Sequence, residues 1–310
     1  MLAAELIRAQ GIDVLALFFE TPFFTSQKAR KSAKSIDLPF KVKHIAERHL
    51  GVVKSPKHGY GGNMNPCIDC HALMFRIAGE MLEQEKASFI LSGEVLGQRP
   101  MSQNRKSLAL VASECGYGDI LLRPLSAKHL PETTPEKKAW VNRDRLMDFQ
   151  GRSRKPQMEM AARLDIKTYP TPAGGCLLTE KAFSRRLKDL FSFQKNPEIR
   201  EIELLKLGRH FRISPDAKLV VGRNNKENEE LRALGAAYDF ILTSAADPGP
   251  TVLGLGNFTD ISLELAAAVT AAYSDAEEGK PTTVRVIKEG TEKMLMSRSP
   301  GKEEFKGYML

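Results

Sequence analysis

The sequence predicts an α/β protein in which a doubly wound parallel sheet is followed by a smaller α+β domain. Over residues 1–195, short apolar segments of strand length alternate with segments of helix length, which is typical of parallel βαβ units. The apolar run Ile12–Phe19 is typical of a strand that is buried on both faces of such a sheet. The composition changes near Asn196 and Pro197, and 310 residues are enough for two domains. We therefore predict a first domain over 1–195 and a second over 196–310.

Each element of the first domain follows from its local pattern. Residues 3–10 predict a helix, which ends at Gly11 because glycine tolerates left-handed dihedral angles. Residues 40–45 alternate between apolar and polar side chains, as a half-buried strand does. The other predicted elements are helices over 26–35, 67–85, 107–115 and 180–191 and strands over 88–92 and 120–122.

The second domain mixes strands and helices without a regular alternation. Between the two regular parts of the chain, residues 126–156 are irregular and rich in Lys, Arg and Pro. Beyond the predicted boundary, the patterns predict strands over 218–222, 238–242 and 283–287 and helices over 227–234 and 261–272.

The net charge of +8 is unevenly distributed along the chain. Residues 1–195 contain 31 Lys/Arg and 20 Asp/Glu, whereas residues 196–310 contain 15 and 18. A basic domain joined to a mildly acidic one indicates a polyanionic partner for the first, although a solvated basic surface has the same composition. No apolar run reaches the roughly 18 residues of a membrane span, and no signal peptide is recognisable. We therefore expect a cytoplasmic protein without a membrane partner.

The spacing of two cysteines points to sulfur or metal chemistry. Four cysteines are too few for a disulfide framework in a cytosolic chain of this length. Cys67 and Cys70 are about one helical turn apart at a predicted helix start, so both sulfurs can face one point. The helix N-terminus is expected to stabilise the thiolates and so lower the thiol pKa.

A third cysteine is predicted to join this pair. Pro170, Pro172, Gly174 and Gly175 mark a turn that presents Cys176, and glycine lets the backbone approach closely. The fourth cysteine, Cys115, lies in an apolar helix and is predicted to be a core residue.

Three thiolates suit more than one chemistry. They can bind three irons of a [4Fe-4S] cluster and leave the fourth iron open to sulfide. Alternatively, one cysteine carries a persulfide that another resolves as a disulfide. A structural zinc site needs a fourth ligand, for which His71 and Cys115 are candidates. The remaining alternative is that Cys67 and Cys70 are buried packing residues.

Several segments, in the same order, resemble tRNA thiouridine synthetases with an ATP-pyrophosphatase (PP-loop) domain. Asn-Pro-Cys-Ile-Asp-Cys at 65–70 is similar to their Asn-Pro-Cys-x-x-Cys segment. Ser-Gly-Glu-Val-Leu-Gly-Gln at 92–98, followed by Ser-Gln-Asn at 102–104, resembles Thr-Gly-Glu-Ser-Leu-Gly-Gln…Ser-Gln-Thr of the 4-thiouridine branch. Ile-Leu-Leu-Arg-Pro-Leu at 120–125 resembles the strand that follows it. Gly-Gly-Cys-Leu-Leu-Thr at 174–179 is similar to the segment with the second active cysteine.

The resemblance implies an adenine-nucleotide α-hydrolase-like fold and an enzyme, a tRNA sulfurtransferase of the 4-thiouridine or 2-thiouridylase type. Such enzymes use ATP and Mg²⁺ to adenylate the C2 or C4 oxygen of a uridine in tRNA, and sulfur then displaces AMP. The sulfur donor is expected to be sulfide or a cysteine desulfurase relay. An alternative is a non-catalytic protein that binds RNA, or an iron-sulfur cluster or zinc, and has lost the ATP loop.

The resemblance also implies roles for particular residues. Cys67, Cys70 and Cys176 are expected to be both the catalytic residues and the metal ligands. For this centre we prefer a [4Fe-4S] cluster to a cysteine persulfide without a cluster or to zinc. ATP is expected at Ser92, Gly93 and Gln98, which follow a central strand. Their alternative role is a simple strand-to-helix turn.

One departure from the family concerns the nucleotide. The pyrophosphate-binding segment Ser-Gly-Gly-x-Asp-Ser, expected between the first strand and the first helix, does not occur in the sequence. The first residues already predict that helix, so the first strand and the PP-loop are missing. We expect a start codon assigned too late, with a real loss as the alternative, and we expect this chain to bind ATP poorly.

The second domain resembles the RNA-binding module of fibronectin-binding-like and ribosome-quality-control proteins, on residues 220–231 and 247–250. Arg223 and Asn224 lie at a strand-to-helix turn, where they can contact phosphates or base edges. Their alternative role is a helix cap with a solvated face.

The tRNA is expected to bind basic residues in both domains. One predicted contact region is the helix segment 185–188, whose cations face a polyanion in this interpretation. The other predicted RNA-binding residues are Arg143, Arg145, Arg152, Arg154, Lys155, Arg223 and Asn224.

Overall fold

The computed structural model describes residues 1–169 and 175–310 and divides into two compact units. The first unit is Met1–Thr179 and the second is Glu180–Leu310. The predicted boundary at residue 196 lies within the second unit, after its first helix. Among the described residues, no helix is long and apolar enough to cross a membrane.

The first unit contains seven described α-helices and four short strands. The helices are α1 (Leu2–Arg8), α2 (Gln27–Lys34), α3 (Ala46–Lys54), α4 (Cys67–Glu80), α5 (Arg105–Cys115), α6 (Thr134–Lys137) and α7 (Lys155–Arg163). The strands are β1 (Ala16–Glu20), β2 (Phe40–His44), β3 (Ile90–Leu91) and β4 (Leu121–Leu122).

These strands form two separate parallel pairs. β1 pairs with β2 in the register Ala16↔Phe40, and β3 pairs with β4 in the register Ile90↔Leu121. The doubly wound sheet therefore stays a prediction, because the described strands record no ladder that joins the two pairs.

The same two helices pack on both pairs of strands. α1 shares apolar clusters with β1 through Ala4 and with β4 through Ile7. α4 shares apolar clusters with β1 through Ile77 and with β3 through Ala78. Burial of these apolar faces, rather than one continuous ladder, holds the first unit together.

The second unit is built on one antiparallel sheet of six strands. Its helices are α8 (Lys181–Phe193), α9 (Ile199–Leu204), α10 (Asn225–Leu234) and α11 (Asp260–Tyr273). Its strands are β5 (Arg209–Ser214), β6 (Ala217–Val221), β7 (Phe240–Ser244), β8 (Val252–Gly256), β9 (Pro281–Lys288) and β10 (Thr291–Arg298), in the order β10-β9-β7-β8-β6-β5.

Helices cover both faces of this sheet. Residues of α11 and the inward side chains of the strands, including Phe211 and Val284, form the largest core of the unit. On the other face, Leu204 of α9 and Leu231 of α10 pack with Val220 of β6. The alternation of buried side chains along each strand divides them between these two cores.

Candidate functional site

The start of α4 presents two thiols on one side. The backbone N–H of Cys70 donates to the carbonyl oxygen of Pro66 at 2.8 Å, which closes the first helical turn beneath Cys67. Asn65 donates from Nδ2 to the sulfur of Cys67 at 3.2 Å. Both cysteines are free thiols and keep part of their surface exposed.

A buried histidine from α3 contacts the second thiol. Nε2 of His49 lies 3.1 Å from Sγ of Cys70, and the His49 side chain is fully buried against the rings of Phe23 and Phe24. Burial lowers the pKa of His49 to about 4, so the ring is neutral at pH 7. Sequence reasoning missed His49, because a single histidine in a helix forms no motif.

Two hydrogen bonds hold the segment with Cys176 in place. Gly175 has φ +116°, a conformation that favours glycine. The N–H of Leu177 donates to the carbonyl oxygen of Phe23 at 3.0 Å, and Nδ2 of Asn63 donates to that of Thr179 at 2.7 Å. Residues 177–179, which follow Cys176, are thus tied both to the segment after β1 and to the segment before α4. Of the predicted turn residues, Pro170, Pro172 and Gly174 lie outside the described residues.

The Cys70 thiol is influenced by burial and by the other two cysteines. Burial raises the pKa of the Cys70 thiol far above its usual range, and the charges of Cys176, Cys67 and Asp69 raise it further. The expectation that the helix N-terminus lowers the pKa is therefore wrong for Cys70, because desolvation and neighbouring negative charge outweigh the helix dipole. Cys70 stays protonated at neutral pH unless a metal or a chemical step takes its proton.

The described residues contain no group of three His, Cys, Asp or Glu side chains placed to hold a single metal ion. The candidate fourth ligands of a zinc site are both engaged elsewhere. Nδ1 of His71 lies 2.8 Å from Glu94, and Cys115 contacts the carbonyl oxygen of Ala112 at 3.2 Å. Cys115 is 1% exposed, which confirms the prediction of a core residue.

Glu94 contacts a histidine and an arginine at the carboxyl end of β3. Its Oε1 contacts His71, and its Oε2 accepts a hydrogen bond from Nε of Arg123 at 2.8 Å. Burial alone would raise the pKa of Glu94, but His71 and Arg123 outweigh it and hold the pKa at about 2. The segment 92–98 contains Glu94, but the sequence does not indicate its role, since its partners come from other elements.

The residues predicted to bind ATP surround a loop after β3. Ser92 is buried and accepts a hydrogen bond from the N–H of Glu94 at 3.2 Å. Gly93 and Gln98 line a cavity of about 230 Å³, together with Arg154. This volume is smaller than the roughly 300–1,000 Å³ of most ligand pockets, so the cavity can hold part of a nucleotide.

The predicted RNA-binding cations of the first unit differ in their surroundings. Arg143 is turned inward, where it pairs with Glu136 and donates to the carbonyl oxygens of Ala127 and Leu130. Arg145 donates to the carbonyl oxygen of Ala9, and Arg154 lines the cavity beside Gly93 and Gln98. The remaining two cations, Arg152 and Lys155, are exposed.

Arg223 and Asn224 are engaged at the start of α10. The side chain of Asn224 caps the helix by accepting from the N–H of Glu227 at 3.0 Å. The Arg223 guanidinium pairs with the Glu227 carboxylate. The N–H groups of Gly208 and Arg223 donate to that same carboxylate. These contacts fix the β6–α10 turn.

Comparison with known proteins bears on the second unit. Residues 208–309 match the family described as the NFACT protein RNA binding domain. Among solved structures, the C-terminal of the fibronectin/fibrinogen-binding protein from Streptococcus suis aligns with 78% of this chain and 94% of its own. That alignment has 14% identity and a TM-score of 0.30. No curated protein matches the chain.

Proposed function

We propose that this protein thiolates a uridine of tRNA, with sulfur delivered at Cys67, Cys70 and Cys176. The proposal rests mainly on one observation: hydrogen bonds of Leu177 with Phe23 and of Asn63 with Thr179 hold the segment of Cys176 beside the start of α4, where Cys67 and Cys70 lie. An RNA-binding family match in the second unit supplies a reason for RNA to be the partner. A cytoplasmic location is part of the proposal.

The reaction needs a displaced oxygen and a delivered sulfur. Adenylation of the C2 or C4 oxygen makes AMP the leaving group, and sulfur bonds to the ring carbon as the carbon–oxygen bond breaks. In a persulfide route, the terminal sulfur of one cysteine attacks, and a second cysteine thiol forms a disulfide with the first as the thiocarbonyl is released. An external dithiol then reduces the disulfide.

We prefer a [4Fe-4S] cluster to the persulfide route, because such a cluster takes three protein thiolates when its fourth iron binds sulfide. When bound, such a cluster supplies an iron that carries the sulfur to be transferred. Cys67, Cys70 and Cys176 would hold it, and its binding would release the Cys70 proton that burial retains. His49 would keep its contact with the sulfur of Cys70 and fix its orientation.

ATP with Mg²⁺ belongs to the same proposal. Gly93 and Gln98 share a cavity with Arg154, whose guanidinium suits a phosphate. The buried Glu94 pairs with His71 and Arg123 and so keeps the loop after β3 in one conformation. Because the sequence lacks the Ser-Gly-Gly-x-Asp-Ser segment, we expect weak ATP binding by this chain.

Metal and nucleoside analyses together test the proposal. The protein is purified without oxygen and assayed for iron and acid-labile sulfide, beside the variants Cys67→Ser, Cys70→Ser, Cys176→Ser and the control Cys115→Ser. We expect about four irons per chain in the parent and the control, and loss in the other three variants. Thiouridine in tRNA from cells that lack the gene is measured in parallel. Unchanged thiouridine at every position refutes the proposed activity, whatever the metal content.

A second candidate function is RNA binding without thiolation. The family match favours it, because residues 208–309 contain none of the cysteines. This candidate predicts tRNA binding that is identical in the parent and in all three cysteine variants, with no thiouridine that depends on the protein.

A further inference from the structure

One face of α8 carries three exposed cations and no acid. Lys181, Arg185 and Lys188 recur at intervals of four and three residues, so they form one stripe along the helix. Their Cα atoms are spaced by about 6 and about 4.5 Å along the helix axis. Among the described residues, none of the three has a salt-bridge partner, so their charges are not neutralised within the protein.

The opposite face of α8 fixes the helix to the sheet. Phe183, Leu187 and Leu190 are buried. The acid of the helix, Asp189, also points inward and pairs with Arg212 of β5 at 2.7 Å and with Lys218 of β6 at 3.3 Å. The cationic stripe is therefore held on a rigid support.

A half-buried guanidinium extends the positive charge toward α10. Nη1 of Arg186 donates to the carbonyl oxygen of Leu205 at 3.0 Å, while its buried Nε has no partner among the described residues. Burial lowers the pKa of Arg186, and the nearby charges of Arg223 and Arg185 lower it further. These repulsions indicate that the positive charge here exceeds the negative charge of Glu227, which Arg223 already engages.

We propose that the exposed face of α8, formed by Lys181, Arg185 and Lys188, contacts the phosphate backbone of RNA. The inference rests on the proposed RNA binding and adds a surface to it. It places the main contact on α8, outside the matched residues 208–309, because Arg223 and Asn224 are occupied by contacts within the β6–α10 turn. RNA is favoured over other polyanions because α8 belongs to the same compact unit as the RNA-binding family domain.

Salt-dependent binding by the full chain tests this surface. The probe is an unmodified tRNA transcript, and the variant is Lys181→Gln/Arg185→Gln/Lys188→Gln. Each phosphate contact adds about 0.7–0.9 to the slope of log K against log salt, so the loss of three contacts lowers the slope by about 2–3. Between 50 and 200 mM salt, the parent should therefore lose about 20- to 40-fold more affinity than the variant.

Two controls separate position from charge. Arg232→Gln/Lys293→Gln/Arg298→Gln removes the same charge from exposed sites that also have no ion pair among the described residues. It should keep the parent's slope. Lys181→Arg/Arg185→Lys/Lys188→Arg keeps the charge on α8 and should keep both slope and affinity. Thermal unfolding of each variant checks that the fold is retained.

Each outcome has one meaning. Equal slopes for the α8 variant and the parent, or equal losses in the α8 variant and the control, overturn the α8 surface and leave RNA binding in place. A parent that does not bind the transcript overturns both the surface and the RNA binding of the proposed function. A parent that binds with the expected slopes, in an organism whose tRNA thiouridine is independent of the gene, supports the surface and refutes thiolation alone.

Discussion

The substitution Asp189→Asn should destabilise the second unit strongly. Asp189 accepts hydrogen bonds from Nε and Nη2 of Arg212 at 3.1 and 2.7 Å, and Nζ of Lys218 lies 3.3 Å from its Oδ2. The side chains of Asp189, Arg212 and Lys218 are only 8%, 17% and 4% exposed, so water screens them little. Breaking a buried ion pair by removal of one partner costs about 3–5 kcal/mol, because it leaves an uncompensated buried charge.

The pH dependence of this loss follows from Lys218. Burial lowers the pKa of Lys218 to about 8 despite the favourable charge of Asp189. The unfolded lysine binds more protons between pH 8 and its ordinary pKa near 10.5, so the free energy of unfolding rises with pH through that window. Without Asp189 the pKa of Lys218 falls further, and the window opens at lower pH. The deficit of Asp189→Asn should therefore shrink between pH 7 and pH 9.

The assay must resolve the unfolding of the second unit. The single tryptophan, Trp140, lies in the first unit, so its fluorescence does not follow this change. We would measure urea unfolding by circular dichroism together with hydrogen exchange of peptides from α8, β5 and β6. The double variant Asp189→Asn/Lys218→Met removes one of the two orphaned charges, that of Lys218, and should recover about 1–3 kcal/mol. A loss below about 1 kcal/mol, or a double variant less stable than Asp189→Asn, would refute the argument from buried charge.

Two further predictions concern the first unit. Glu94→Gln leaves Arg123 buried without its counterion and should cost about 3 kcal/mol at pH 7. Because the pKa of Glu94 is about 2 against 4.5, its stabilisation is complete above pH 4.5 and is lost as pH falls toward 2, so the difference from the parent in urea unfolding should fade over that range. The pKa of His49 is about 4 against 6.5, so the parent should lose about 3 kcal/mol as pH falls from 6.5 to 4. His49→Gln should abolish that part of the slope, and an unchanged slope would show that the pKa of His49 is the same in the folded and unfolded protein.

The helices with strong caps could be placed well from the sequence. The prediction of a helix at 227–234 falls within α10, which Asn224 caps, and the prediction at 261–272 falls within α11, which Thr259 caps. The predicted helix at 67–85 ends early, at Glu80. The chain then turns, and Lys86 adopts φ +52°, which no helix continues through.

Three strands of the second unit escaped prediction for physical reasons. β5 begins with Arg209 and His210, and only its pairing and the salt bridge to Asp189 make this charged stretch a buried strand. β8 contains Gly254, and glycine is a weak strand former. Glycine occupies this position because a Cβ here would lie 2.9 Å from Phe258. β10 is an edge strand whose exposed Met294 breaks the alternation of apolar and polar residues. Each of these strands depends on its neighbours more than on its own sequence.

The contacts of the candidate site are even harder to predict from local sequence. The spacing of Cys67 and Cys70 predicts that their sulfurs face one point, and the glycine before Cys176 predicts that its backbone approaches them closely. The same residues could not indicate that His49 contacts Cys70 or that burial dominates its pKa. Desolvation depends on the packing of the whole chain. A Cys-x-x-Cys motif that predicts a reactive thiolate can therefore contain a protonated thiol, as Cys70 does here.

The net charge of the second domain depends on where its boundary is placed. Residues 196–310 alone are mildly acidic, which argues against RNA binding, although residues 208–309 match an RNA-binding family. The compact unit begins at Glu180, and residues 180–195 add five Lys/Arg against two Asp/Glu. The acid within α8, Asp189, is buried against the sheet, so the added positive charge lies at the surface. The proposed RNA interface of this unit therefore depends on where its cations lie, and a net charge summed over 196–310 leaves out the helix that carries them.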